Sequence, residues 1–204
     1  MDLRALPLVA LAACGFAPTG ESFTLAEQLT ARAYLDVAAD SQLDVTAVAH
    51  GLPLAIAPTI VGGEVVARTT ADGYLLIEDL TLPLADVTVP AGVFGPTPVR
   101  FTDLVVSLGT QLAVPLPPDG EVDVVAGTGR ADLILDWAMV DPDGIVRPLG
   151  LRRAPRAPFT VAIHRALDGS LHAKLGARTD AVVIAGDAAL TDVALAVVSA
   201  STAE

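Results

Sequence analysis

Apolar and polar residues alternate along most of this chain, and alternation marks strands with one buried face. From Leu43 onward, runs rich in Val, Leu, Ile and Thr are separated by clusters of Gly, Pro and Asp, the texture of a β protein with regular turns. Asp-Gly recurs at Asp72-Gly73, Asp119-Gly120, Asp143-Gly144 and Asp168-Gly169. Such a pair closes a hairpin either as a two-residue loop or as a three-residue loop with a bulged glycine. The alternation decides, because a slip of one residue turns a whole strand face over. Around Asp168-Gly169 the three-residue loop pairs Arg165 with Leu171 and Ile163 with Ala173. Val161, Ile163, Leu171 and Leu175 then share one face, and Thr160, His164, His172, Lys174 and Arg178 the other. A two-residue loop mixes polar and apolar on both.

The same register gathers Val65, Ala67, Leu75 and Ile77 around Asp72-Gly73, with Arg68 near Glu78 on the opposite face. Around Asp119-Gly120 it gathers Leu112, Val114, Leu116, Val122 and Val124. Around Asp143-Gly144 it gathers Leu135, Trp137, Met139, Ile145, Leu149 and Leu151, with Arg147 on that side too. Gly62-Gly63 predicts a further hairpin joining residues 54–61 to 64–70. Upstream, Thr24-Leu-Ala-Glu27 fits a capping box, and Leu25, Leu29 and Ala33 recur at helical spacing. Ala33, Leu35 and Val37 alternate like a strand as well; the reading is a short helix over about 24–36. Ile77-Glu-Asp-Leu, Phe101-Thr-Asp-Leu and Leu190-Thr-Asp-Val share a pattern at unequal separations, which is reused strand chemistry and not a repeat.

The predicted fold is therefore all-β: an antiparallel meander of about ten strands with a short N-terminal helix. Its apolar side must be covered, by a two-layer sandwich or by a closed or half-open barrel. Residues 24–204 form a single domain, since no second composition regime or linker interrupts them. An outer-membrane barrel needs aromatic girdles at both interfaces, and this chain has five Phe, two Tyr and one Trp.

Charge narrows the partners. The 204 residues carry a formal charge of −12, with Lys174 the single lysine, which argues against nucleic acid. One cysteine excludes an internal disulfide framework and a multi-thiolate zinc site. That cysteine closes a telling segment. Met1 to Cys14 carries Arg4, then an uncharged, almost wholly apolar run that ends in Ala12-Ala13-Cys14. The run is too short to span a bilayer and has the layout of a secretory signal. Leu11-Ala12-Ala13-Cys14 before Gly15 resembles the lipobox of bacterial lipoproteins. The resemblance implies removal of residues 1–13, acylation of Cys14 as a lipid anchor, a tether over 14–23, and a place in the cell envelope, periplasmic or on the outer surface.

Catalytic signals are sparse. The chain has no Gly-x-Ser-x-Gly elbow and no His-Glu-x-x-His, and nothing implies a cofactor. Gly127-Thr-Gly129 reads as a bulge in a long strand, and Asp141-Pro-Asp143-Gly144 as a turn rather than a calcium loop. The preferred register sets His164 opposite His172, but no third ligand lies nearby in sequence and no serine or acid is placed to make a triad. The segment from Ile145 to Leu167 contains no acid and carries Arg147, Arg152, Arg153, Arg156 and Arg165, a candidate site for an anionic envelope component. Residues 52–61 and 181–198 are apolar at nearly every position, so both faces meet apolar surroundings, in a core or around a cavity for an acyl chain. The expected function is a non-enzymatic binding or structural domain, anchored in the envelope and holding an apolar, lipid-like ligand or an anionic partner. An envelope enzyme of unknown chemistry is the alternative, and a purely structural module the third. A lipid-sized apolar cavity separates the first from the third.

Overall fold

The computed structural model describes residues 23–202, apart from 50, 94–95, 119–121, 142, 149–150, 180–181 and 186–187. Cys14 and the turn at Asp119-Gly120 lie outside the described residues. One helical turn, α1 (Leu25–Gln28), precedes β1 (Ala33–Val37), β2 (Gln42–Ala49), β3 (Leu52–Ile56), β4 (Glu64–Thr69) and β5 (Tyr74–Pro83). Then follow β6 (Val87–Val89), β7 (Val99–Leu108), β8 (Leu112–Pro115), β9 (Val124–Val140) and β10 (Val146–Pro148). β11 (Arg152–Arg165), β12 (Leu171–Thr179), β13 (Val182–Ala185) and β14 (Ala188–Ala200) complete the chain.

All strands join one antiparallel sheet, whose main path runs β1-β4-β5-β7-β9-β11-β12-β14. β14 returns to β1 through Asp36 opposite Ala200 and Val37 opposite Ser199, so the path closes into a ring, the closed form among the expected architectures. The β2–β3 hairpin extends from β14, while β6, β8, β10 and β13 are short satellites on β7, β5, β9 and β14. Those satellites are the strands beyond the expected ten or so.

Three hairpins have the predicted three-residue loop. Gly73, Gly144 and Gly169 lie at φ of 78°, 79° and 88°, a conformation that costs glycine nothing. Each donates its N–H to the carbonyl three residues back, on Thr70, Asp141 and Ala166. Arg165 faces Leu171 and His164 faces His172. Val65, Ala67, Leu75 and Ile77 are fully buried, and Arg68 pairs with Glu78 across the other face. Around Asp143-Gly144 the register also holds, with Arg147 opposite Met139. Its apolar face does not: β10 is exposed throughout, as are Ile145 and Leu151, because β10 overhangs the ring instead of joining its wall.

Tertiary pairing overrode local pattern elsewhere. The helix stops at Gln28, and Ala33–Val37 is a strand with Leu35 buried between exposed Tyr34 and Asp36. Pairing with β4 and β14 gives the alternation a core to face. Gly62-Gly63 makes no hairpin: β3 pairs β2, β4 pairs β1 and β5, and Ile60 bridges to Leu84. β8 pairs β5, and Val124 pairs His164, so Leu112–Pro115 and Val124 are not hairpin partners. Gly127 and Gly129 lie in regular register with Val161 and Phe159 and form no bulge. They are bare because β8 crosses them: a Cβ on Gly129 would stand 2.5 Å from the Ala113 carbonyl oxygen, and one on Gly127 would strike Val114.

Bulges bend the wall, since an extra residue on one strand coils it locally. Register shifts fall at Glu78 in β5, at Asp103 and Leu104 in β7, and at Thr191 in β14. Each lies within one of the three apolar-x-Asp-apolar segments. The shared pattern is a mark of bulges.

Candidate functional site

The two ends of the ring differ. At one end α1 is a plug. Thr24 caps it through a complete capping box with Glu27, and Leu25 and Leu29 are fully buried in the ring. The Thr69 backbone N–H donates to the Leu29 carbonyl at 2.7 Å, and the Thr69 hydroxyl to that of Ala26 at 2.6 Å. Arg165 reaches over from β11, donating to Gln28 Oε1 and the Phe23 carbonyl, both at 3.1 Å, and pairing with Asp123.

At the other end the wall flares. The β2–β3 hairpin stands away from the ends of β7 and β9, leaving an apolar cleft of about 310 Å³ between them. That volume falls at the lower end of the range for ligand pockets, about 300–1,000 Å³. Leu43, Val45 and Ala47 of β2 face Val106, Leu135 and Trp137 across it; all six are buried. Phe101, Leu104 and Met139, half-buried, complete the side toward β7 and β9. Among the described residues the one charged residue on the lining is Asp136, which is exposed. Of the two long apolar segments, β14 sends Leu190, Val193, Leu195 and Val197 inward and small residues outward. Residues 52–61 are not central: β3 is an edge strand with Leu52 exposed, and its last residue Ile56, with Pro58 beyond it, reaches the cleft.

Trp137 brings a buried polar group into this wall. On β9 it stands between Asp136, opposite Val105, and Ala138, opposite Thr102, so the two extra residues of β7, Asp103 and Leu104, oppose it. Asp103 has φ 54°, a left-handed conformation that costs a non-glycine residue about 1 kcal/mol or more. The bulge widens the wall at the tryptophan and carries Leu104 onto the cleft. The Trp137 indole N–H is buried and meets no acceptor among the described residues.

The five candidate arginines do not gather. Arg165 lies at the plugged end, about 40 Å along β11 from Arg152 at ~3.3 Å per residue. Arg147 pairs with Asp141 at 2.8 Å, beside the Asp143-Gly144 turn. Arg153 pairs with Asp132, whose Oδ1 accepts the backbone N–H of Arg156 at 2.7 Å. Arg156 has φ 53° in the β11 bulge, so Asp132 holds that bulge in shape. The Arg156 amide, aided by Arg153, keeps the Asp132 carboxyl below the ordinary carboxylate range. Arg152 donates to the Leu151 carbonyl at 3.2 Å. Cross-strand acids, invisible in the acid-free stretch of sequence, account for much of its charge.

The structure adds a serine and an acid to the histidine pair that sequence spacing did not supply. His164 and His172 stack with centroids 5.2 Å apart. His172 Nε2 lies 3.0 Å from Ser170 Oγ, which lies 2.6 Å from Asp168 Oδ1. The order is wrong for nucleophilic catalysis. The serine proton points to the carboxylate, whereas a triad sends it to the imidazole and sets the carboxylate behind the ring. Asp168 also accepts the Ser170 N–H at 3.0 Å, so the group closes the turn, and these bonds hold the Asp168 carboxyl below its usual range. The ring planes are within 15° of parallel; stacked faces do not converge nitrogens on a metal.

Comparison with known proteins finds no match to a protein family, to a curated protein or to a solved structure.

Proposed function

We propose that this chain is an envelope-anchored lipoprotein whose β domain is non-enzymatic and holds an apolar, lipid-like ligand in the cleft at the flared end of the ring. The cleft carries the reading. A solid core closes both ends of a small ring with side chains; here one end is filled by α1, and the other keeps about 310 Å³ behind an almost wholly apolar lining. The acylated Cys14 supplies the membrane partner. The described chain begins at Phe23, on the plugged end of the ring.

Native mass spectrometry of protein taken from the membrane fraction tests both parts together. The expected species is a chain beginning at Cys14 with added acyl mass, carrying a further non-covalent apolar mass. A Leu104→Trp variant, which fills the cleft, keeps the covalent mass and loses the other. An unmodified chain beginning at Met1 in the soluble fraction overturns the anchor. Identical non-covalent mass in both variants, or none in either, overturns the cleft.

A further inference from the structure

The outer wall of the ring carries a second site, independent of the cleft. We propose that a trough across β9, β11 and β12 binds a phosphate group between Arg130 and Arg178.

The trough follows from register and alternation. Thr128 on β9 stands opposite Thr160 on β11, and Thr160 opposite Gly176 on β12. Both threonines are exposed while Phe159, Leu175 and Ala177 beside this row are buried, so the row faces outward. Gly176 has no side chain and the threonines have short ones, and the wall is hollowed there into an open trough of about 660 Å³. Arg130, opposite Pro158, lines it from β9, and Arg178 lines it from β12. One strand lies between them, so their backbones are about 10 Å apart at ~4.8 Å per strand spacing.

Charge at this face is opposite to that of the molecule. The chain carries −12, yet Arg130, Arg178 and Lys174 all project here, Lys174 opposite Ala162 in the next outward row. Among the described residues the acid that meets them is Asp192, paired with Arg178. Neither arginine is used up. Arg178 donates Nε and Nη2 to Asp192 at 3.1 and 2.8 Å, and Arg130 donates Nη1 to the Arg156 carbonyl at 3.1 Å. A guanidinium has five N–H donors; those on Arg178 Nη1 and on Arg130 Nε and Nη2 meet no acceptor among the described residues. The bonds already made hold both forks in place. On the floor, the Thr160 hydroxyl reaches the Gly176 carbonyl only at 3.5 Å, so it can turn to a ligand oxygen at little cost.

Donors therefore stand on both banks and on the floor. A carboxylate has two oxygens in one plane and is satisfied by a single arginine fork. A phosphate spreads its oxygens tetrahedrally and can accept from two guanidiniums and a hydroxyl at once, through charge-assisted bonds.

The test titrates the full chain with inorganic phosphate and with acetate, following the arginine Nε–H signals by NMR. Phosphate is expected to shift the signals of Arg130 and Arg178 saturably and to bind about tenfold more tightly than acetate. Arg130→Gln and Arg178→Gln, both at exposed positions, should each weaken phosphate binding about tenfold, the worth of one charge-assisted hydrogen bond. Arg100→Gln, on β7 outside the trough, should leave it unchanged. Equal binding of acetate and phosphate overturns the tetrahedral assignment. Shifts that do not saturate, or the same effect in all three variants, overturn the site. Sedimentation with phosphatidylcholine vesicles containing phosphatidate, but not with phosphatidylcholine alone, traces the phosphate to a lipid headgroup. Phosphate binding without sedimentation traces it to a free phosphate compound; both results uphold the site.

Discussion

The two ends of the ring are made from the same eight-strand path and the same kinds of side chain, yet they differ in how they meet water. The plugged end is closed by a single helical turn whose flanking Leu29 and own Leu25 are fully buried, whose backbone is tied to Thr69 and whose Gln28 side chain accepts from Arg165. Among the described residues the flared end has no such plug, and the β2–β3 hairpin holds its walls apart. Side-chain packing closes one end, and an open apolar cleft is left at the other.

Core truncations sharpen the contrast most. Leu29→Ala should cost about 2–5 kcal/mol, the usual penalty for a large buried aliphatic that leaves an enclosed void. Leu104→Ala, half-buried on an existing cleft, should cost less than about 1 kcal/mol, because it only enlarges space already open. Urea unfolding of the two variants measures both; equal losses would break the comparison. Next comes the seam where β8 crosses β9. Gly129→Ala drives a methyl against the Ala113 carbonyl and Leu112, and should destabilise by about 1–3 kcal/mol, as overpacking does. Gly169→Ala meets open space, so only its backbone conformation is penalised, by about 1 kcal/mol.

Acid gives a subtler signal. Asp132, Asp141 and Asp168 are each held below the ordinary carboxylate range, chiefly by hydrogen bonds from Arg156, Ile145 and Ser170 respectively. A carboxyl depressed by folding binds fewer protons in the folded than in the unfolded state. Its contribution is present above the unfolded value of 3.8 and is lost as pH falls through the lower folded values;. Urea midpoints should therefore hold steady from neutrality to about pH 5 and fall at lower pH. Asp132→Asn should flatten part of that fall, and an unchanged acid limb would show that Asp132 does not hold the β11 bulge through its charge.

What was legible in the chain follows from the range of each interaction. The loops at Asp72-Gly73, Asp143-Gly144 and Asp168-Gly169 and their registers were readable because a three-residue turn and alternation within a hairpin are local; Arg165 opposite Leu171 needed nothing beyond seven residues of sequence. Around Asp119-Gly120 the same rule failed, because β8 pairs β5 and Val124 pairs His164. The capping box at Thr24 was readable for the same reason. The strand at Ala33–Val37, the idle Gly62-Gly63 and the glycines under β8 were not, because each is decided by a strand distant in sequence. The bulge pattern at residues 77–80, 101–104 and 190–193 was visible as a motif, but its meaning depended on the partner strand's register. The cleft was half visible: apolar composition on both faces of 52–61 and 181–198 pointed to a core or a cavity, and only the flare of β2–β3 separates these. The net charge of the arginine stretch was not legible, because Asp123, Asp132 and Asp141 sit outside it and fold back onto Arg165, Arg153 and Arg147.

Trp137 is the chain's one tryptophan and stands on the cleft lining, so its fluorescence reports the central claim directly. Titration with a decanoate methyl ester brominated at mid-chain should quench that emission saturably, and unbrominated ester should restore it by competition. Quenching that rises linearly without saturation, as for collisions in solution, would show that no apolar ligand is held at the flared end.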